Sequence, residues 1–204
     1  VLTSVSKSGS EKTSVVKVDN SSAGNALRLQ KNKNGASNGN AASGDEGVFA
    51  MYNFDTPAQG VIAVSADVYV ETPGRLGLFF YGKTDDVETA VSGDDFPYLG
   101  RGYFWDSGKS DQDPSKNTPY GISTWSDNTR TPDTGVSYST GKWYTMRCDI
   151  DTENGTYTYS VKDENGEVIT TKDKLSINKE NLAASEGLVQ GVGFTIMNDT
   201  KSLG

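Results

Sequence analysis

Arg101, Tyr103 and Trp105 stand at alternate positions of one short segment. In an extended strand that spacing sets three planar groups on the same side. An aromatic ring offers a flat apolar face, and a guanidinium offers a planar fork of donors. Together they suit a ligand with an apolar C–H face and a rim of hydroxyls, the make-up of a sugar ring. The same residue types recur on other strand-like segments: Trp125 on the next one, Tyr69 with Asp67, Tyr81 with Lys83, and Arg147 with Thr145. The candidate ligand-binding set is therefore Tyr69, Tyr81, Arg101, Tyr103, Trp105, Trp125 and Arg147, with a polysaccharide as the ligand. A bland reading stands beside each. Aromatics in a β-protein usually fill the core, which is the favoured place for Tyr157 and Tyr159. Phe80 and Phe104 fall opposite the tyrosines of their segments and are expected to be buried. Tyr103, Trp105 and Trp125 flank polar loops, so core and ligand roles stay open for them. Arg101 and Arg147 could instead be solvated charges or edge ion pairs, worth under about 1 kcal/mol each.

Catalysis has less to work with. The chain contains no histidine, which removes Ser-His-Asp and Cys-His chemistry and the commonest zinc sites. A retaining glycosidase needs two carboxylates about 5–5.5 Å apart. Asp149 with Asp151, and Asp67 with Glu71, share strand faces. The first pair runs into a turn, where solvated acids are ordinary. A lyase could use a tyrosine as base and an arginine or lysine as neutraliser. Tyr69, Tyr81, Arg101, Tyr103 and Arg147 supply those types, but their spacing does not demand that role. The expectation is a protein that is not an enzyme, with catalytic residues none.

The elements that must position these groups are strands. Tyr144, Met146, Cys148 and Ile150 alternate with Thr145, Arg147 and Asp149, the period of a half-buried strand. Asn154-Gly155 predicts a two-residue hairpin turn, after which Tyr157, Tyr159 and Val161 alternate with Thr158, Ser160 and Lys162. Asn165-Gly166 repeats the turn signal. Further strands are predicted at 14–18, 25–29, 48–54, 61–71, 76–83, 98–105, 120–125 and 187–198. In the longest, Ile62, Val64, Ala66, Val68 and Val70 share one face. Loops or turns are predicted at 32–45, 107–118 and 128–134, an acidic irregular stretch at 85–96, and a helical turn or two at 178–186. Many strands and no long amphipathic helix give an all-β fold, an antiparallel two-sheet β-sandwich or jelly roll.

Composition agrees. The 204 residues are 34% hydrophobic, and much of the rest is turn-forming or small and polar. One domain spanning 1–204 is the default at this length. The net charge of −8 repels nucleic acid and anionic membrane, so neither is an expected partner. It leaves room for an anionic polysaccharide, because a local basic cluster could still form. The single cysteine, Cys148, cannot form a disulfide within the chain. Its place on the apolar side of a strand suggests a small buried hydrophobe. No apolar run approaches the roughly 20 residues of a membrane span.

Three stretches resemble the concanavalin A-like (laminin-G-like) jelly roll. They are Gly24-Asn-Ala-Leu-Arg-Leu29, the long strand at 61–71, and Gly141-Lys-Trp-Tyr-Thr-Met-Arg-Cys-Asp-Ile150 with its following hairpin. The resemblance implies that 61–71 is a long central strand and that Trp143 packs inside. It also implies a further strand beyond Asn198 and a structural Ca2+ ion, with Asp19, Glu46 and Asp199 as weak candidate ligands. Bacterial members of this fold are glucanases and polysaccharide lyases, or carbohydrate-binding modules without catalysis. The glucanases carry Glu-x-Asp-x-Glu on one strand. The alginate-lyase-like members carry Gln-x-His and Tyr-Phe-Lys-Ala-Gly. None of these occurs here. The resemblance therefore favours a carbohydrate-binding module of a bacterial polysaccharide-degrading enzyme. It would be a monomeric unit in a longer multi-domain chain, secreted or at the cell surface, tethering its enzyme to the polymer. The alternatives are a polysaccharide lyase or glycoside hydrolase of the same fold, and a cell-surface adhesin domain.

Overall fold

A computed structural model describes residues 2–6, 12–17, 25–30, 47–71, 75–85, 96–105, 121–133 and 136–197. In chain order the strands are β1 (Leu2–Ser6), β2 (Lys12–Lys17), β3 (Asn25–Gln30), β4 (Gly47–Ala58), β5 (Val61–Val70), β6 (Arg75–Tyr81), β7 (Tyr98–Trp105), β8 (Gly121–Ser126), β9 (Thr129–Asp133), β10 (Lys142–Asp151), β11 (Thr156–Lys162), β12 (Val168–Ser176) and β13 (Val189–Met197). Among the described residues one helix, α1 (Lys179–Ala184), stands with them. A seven-stranded sheet has the order β1-β4-β13-β6-β7-β8-β9, and a four-stranded sheet the order β12-β11-β10-β5. The hairpin β2-β3 forms a separate pair. Among the described residues every strand pairing is antiparallel. The predicted all-β two-sheet sandwich is the fold of the chain.

The core follows the predicted alternation. Tyr144, Met146, Cys148 and Ile150 from β10, with Tyr157, Tyr159 and Val161 from β11, face Leu78, Phe80, Phe104, Ile122 and Val192 of the larger sheet. Burying each such side chain stabilises the fold by roughly 1.5–3 kcal/mol. Cys148 is enclosed, and burial pushes its thiol pKa well up. The inward tyrosines are large, and β7 makes room by carrying glycine opposite them. A Cβ on Gly100 would stand 2.5 Å from the Phe80 ring and 2.8 Å from Tyr157, and one on Gly102 would stand 2.4 Å from Tyr159.

Several sequence expectations change. The strand at β5 is an edge strand of its sheet rather than a central one. Residues 152–155 form a four-residue connection, because Asp151 pairs with Thr156; Asp151 accepts from the backbone N–H and side-chain amide of Asn154, and Gly155 takes φ +63°. The predicted turn at 128–134 is mostly strand β9. The tight turn sits earlier, at Asp127-Asn128, both at positive φ (46° and 62°). Strand β12 lacks a readable alternation because two irregularities interrupt its pairing with β11. The helix at 178–186 is present as α1, capped by the Asn178 side chain, which accepts from the Asn181 N–H.

Candidate functional site

Six of the seven candidate residues divide between two opposite faces. Tyr81, Arg101, Tyr103 and Trp125 belong to strands of the seven-stranded sheet, with parity that points them away from the core. Tyr69 and Arg147 lie on the outer face of the four-stranded sheet. The two sets cannot touch one ligand unit together.

On the seven-stranded sheet, outward does not mean exposed. A second apolar cluster, Phe49, Met51, Phe79, Tyr81 and Phe96, lies on that outer side with Tyr98 packed against it. Tyr81 is fully buried there, its hydroxyl donating to Asn53 Oδ1. Burial pushes its pKa up to about 12, which suits a structural phenol better than a base. Tyr103 is 1% exposed, edge-on to Trp125 at 5.0 Å and against the backbone at Gly77. Neither ring presents a face to solvent. Trp105 ends β7, and its side chain lies outside the described residues.

Arg101 and Trp125 are half-buried and open to solvent. The Arg101 guanidinium carbon sits 4.6 Å from the Trp125 ring centroid and 4.6 Å from that of Tyr98. Its Nη2 donates to Asn128 Oδ1 at 3.3 Å. Across the next strand pair, Trp125 faces Arg130, whose Nε and Nη2 each reach the buried Ser123 Oγ at 3.3 Å. Tyr98, Arg101, Trp125, Asn128 and Arg130 thus make one aromatic and cationic patch across β7, β8 and β9. Sequence reasoning missed Tyr98, Asn128 and Arg130. The signal was the Asp127-Asn128 pair: centring the hairpin there puts Arg130 directly opposite Trp125.

The patch is held from beneath. Tyr157 crosses the core through the gap at Gly100. Its hydroxyl accepts from the Arg101 N–H (3.3 Å) and lies on the Arg101 carbonyl (3.1 Å) and the Trp125 carbonyl. The capped start of α1 braces the strand entry: Asn178 N–H donates to the Leu99 carbonyl and Asn181 Nδ2 to the Tyr98 carbonyl, each at 2.9 Å. Asp127 N–H donates to Ser176 O and Ser176 N–H to Ser126 Oγ, tying the hairpin to the other sheet.

The four-stranded face is different in kind. Trp143 lies outward, not inside as the resemblance implies, and stacks at a tilt on the exposed Tyr69 with centroids 5.4 Å apart. Strand parity explains it, since Tyr144 and Met146 take the inward positions. Thr145 Oγ1 donates to Asp67 Oδ1 at 2.6 Å. Arg147 is paired with Asp149: its Nε donates to both carboxylate oxygens, at 3.0 and 2.8 Å, and its Nη2 to Oδ1 at 2.5 Å. Asp151 is turned into its loop, and the bonds from Asn154 hold its carboxyl below the usual carboxylate range. A general acid needs the opposite shift.

Among the described residues no cluster of three or more metal-ligating side chains occurs. Asp19, Glu46 and Asp199 lie outside the described residues. Asp151 and Asp163, at opposite ends of β11, each accept N–H groups of their own turn, and the two do not share one site.

No family model matches the chain, and no curated protein matches it. Solved structures share the fold. Lectin I from Ulex europaeus, in complex with the methyl glycoside of α-L-fucose, aligns over 98% of this chain and 91% of its own, with 12% identity and a TM-score of 0.53. Peanut lectin with a nine-residue peptide aligns over 76% of this chain and 74% of its own, with 13% identity and a TM-score of 0.51. The two-sheet sandwich is therefore the jelly roll that these lectins also adopt.

Proposed function

We propose that the chain is a non-catalytic carbohydrate-binding domain, which takes its ligand on the outer face of the seven-stranded sheet. The observation that carries this is the solvent-open row of Tyr98, Arg101 and Trp125. It sets two aromatic rings against a planar donor group on a braced surface. One of the lectins that share the fold was solved with a fucoside bound, which supports the choice of a sugar over other small polar ligands. We further propose that the chain is one domain of a longer secreted or surface protein. There it would keep an attached polysaccharide-degrading enzyme near its polymer.

Affinity electrophoresis through gels containing single soluble polysaccharides tests the first step. The native protein is expected to be retarded by at least one polymer. Trp125→Ala should reduce that retardation at least tenfold in Kd, about 1.4 kcal/mol, with a melting temperature within a few degrees of the parent. A large fall in melting temperature would make Trp125 a packing residue and remove it from the site. Incubation with uronate polymers, followed near 235 nm, tests the lyase alternative. A steady rise from new unsaturated ends would sink the non-catalytic reading.

A further inference from the structure

We infer that the ligand of this patch is an anionic glycan, recognised through a carboxylate or sulfate group by Arg101. The inference rests on the sugar-binding reading above and names its substrate class. Arg101 is a cation in a chain of net charge −8, yet among the described residues no carboxylate pairs with it. Its guanidinium lies over two aromatic rings, each 4.6 Å away. Such contacts use the charge of the group and consume none of its N–H donors. Asn128 Oδ1 takes one Nη2 hydrogen at 3.3 Å. A guanidinium carries five N–H donors, so a bidentate edge stays available to an oxyanion. Such forks match carboxylate and sulfate geometry and bind them more strongly than hydroxyls.

The surroundings favour an anion. The carboxylate next in sequence to Asn128, that of Asp127, is turned to Lys179, whose N–H it accepts at 3.3 Å and whose Nζ lies 3.9 Å away. Arg130 stands on the far side of Trp125, one strand on. Two cations therefore flank one indole across three strands, about 9–10 Å apart at ordinary strand spacing. An arginine of the patch can take the acid group of one sugar unit. The chain's net negative charge opposes a polyanion only weakly at this range, because fields from distant exposed groups are screened beyond about 8 Å at physiological salt.

The test uses the intact chain and two polymer sets. Polygalacturonate, alginate, hyaluronan and chondroitin sulfate form the anionic set; hydroxyethylcellulose, galactomannan, xyloglucan and mixed-linkage glucan form the neutral set. At least one anionic polymer should retard the native protein more strongly than every neutral one. Carboxyl reduction or desulfation of that polymer should weaken binding at least tenfold, and which of the two treatments does so identifies the acid. Arg101→Gln should bind native and neutralised polymer alike, while Arg101→Lys should keep part of the difference. Retardation by neutral polymers alone, or binding untouched by neutralisation, overturns the anionic inference and spares sugar binding. Retardation by none of the eight overturns both. The neutralised-polymer arm uses the native chain, so it decides even where an Arg101 variant does not fold.

Discussion

Tyr157 and Tyr159 sit two residues apart on β11, both enclosed in the core, and they do different work. The Tyr157 hydroxyl bonds the backbone of Arg101 and Trp125. The Tyr159 hydroxyl finds no hydrogen-bond partner among the described residues, although both rings fill the space left by β7 glycines. Removing the first hydroxyl strands buried carbonyls, which costs about 1–3 kcal/mol; removing an unpartnered one is close to neutral or stabilising. Tyr157→Phe is therefore expected to lower the urea midpoint clearly and to weaken ligand binding, since it loosens the two strands under the patch. Tyr159→Phe should leave both nearly unchanged. Equal midpoints for the two variants would refute the bracing role. Tyr157 was legible as a core residue from the alternation of β11. Its bond to the site was not, because that bond joins residues more than 30 positions apart in the chain across two sheets.

At the scale of elements, legibility tracks regular alternation. The inward set of β10 and β11 could be read directly, since an uninterrupted period of two names the buried face. In β12 the buried Thr170 and Leu175 are an odd number of residues apart. Tyr157 and Tyr159 pair with Leu175 and Lys172, which leaves an extra residue on β12 and scrambles its pattern. Trp143 teaches the same lesson from the other side: its own parity already placed it with Thr145 and Arg147, and parity prevailed over the resemblance. The glycines of β7 break no alternation, yet they decide how closely the sheets approach. Gly102→Ala would put a methyl carbon 2.4 Å from the Tyr159 ring. Overpacking of this kind costs typically about 1–3 kcal/mol, and this site has backbone on one side and a filled core on the other. We expect the top of that range or a failure to fold, read from a denaturant melt. A variant with parental stability would mean that Tyr159 can leave its position freely.

The molecule as a whole has two outer faces, and the division of candidates between them depends on which strand joins which sheet. That is set by non-local pairing: β6, β7 and β8 are neighbours in one sheet, while β5, next to β6 in sequence, pairs with β10 in the other. Local patterns carry outward or inward but not which outward, so Tyr69 and Arg147 joined a single candidate set with residues on the opposite side. Their physical states also differ. Arg147 is locked to Asp149, and such exposed pairs contribute little to stability. Tyr69 is committed to Trp143 as a cross-strand aromatic pair. Arg101, by contrast, pairs with no carboxylate among the described residues and gives one side-chain hydrogen bond, to Asn128. Binding should therefore reside on one face. Tyr69→Ala and Arg147→Ala are expected to change Kd for the retarding polymer by less than twofold. Trp125→Ala and Arg101→Gln should change it tenfold or more, and calorimetry should give one site per chain for a short oligomer. If the Tyr69 or Arg147 variant lost binding while Trp125→Ala kept it, the four-stranded sheet would be the ligand face, and the patch on β7 to β9 would be a packing feature of the larger sheet.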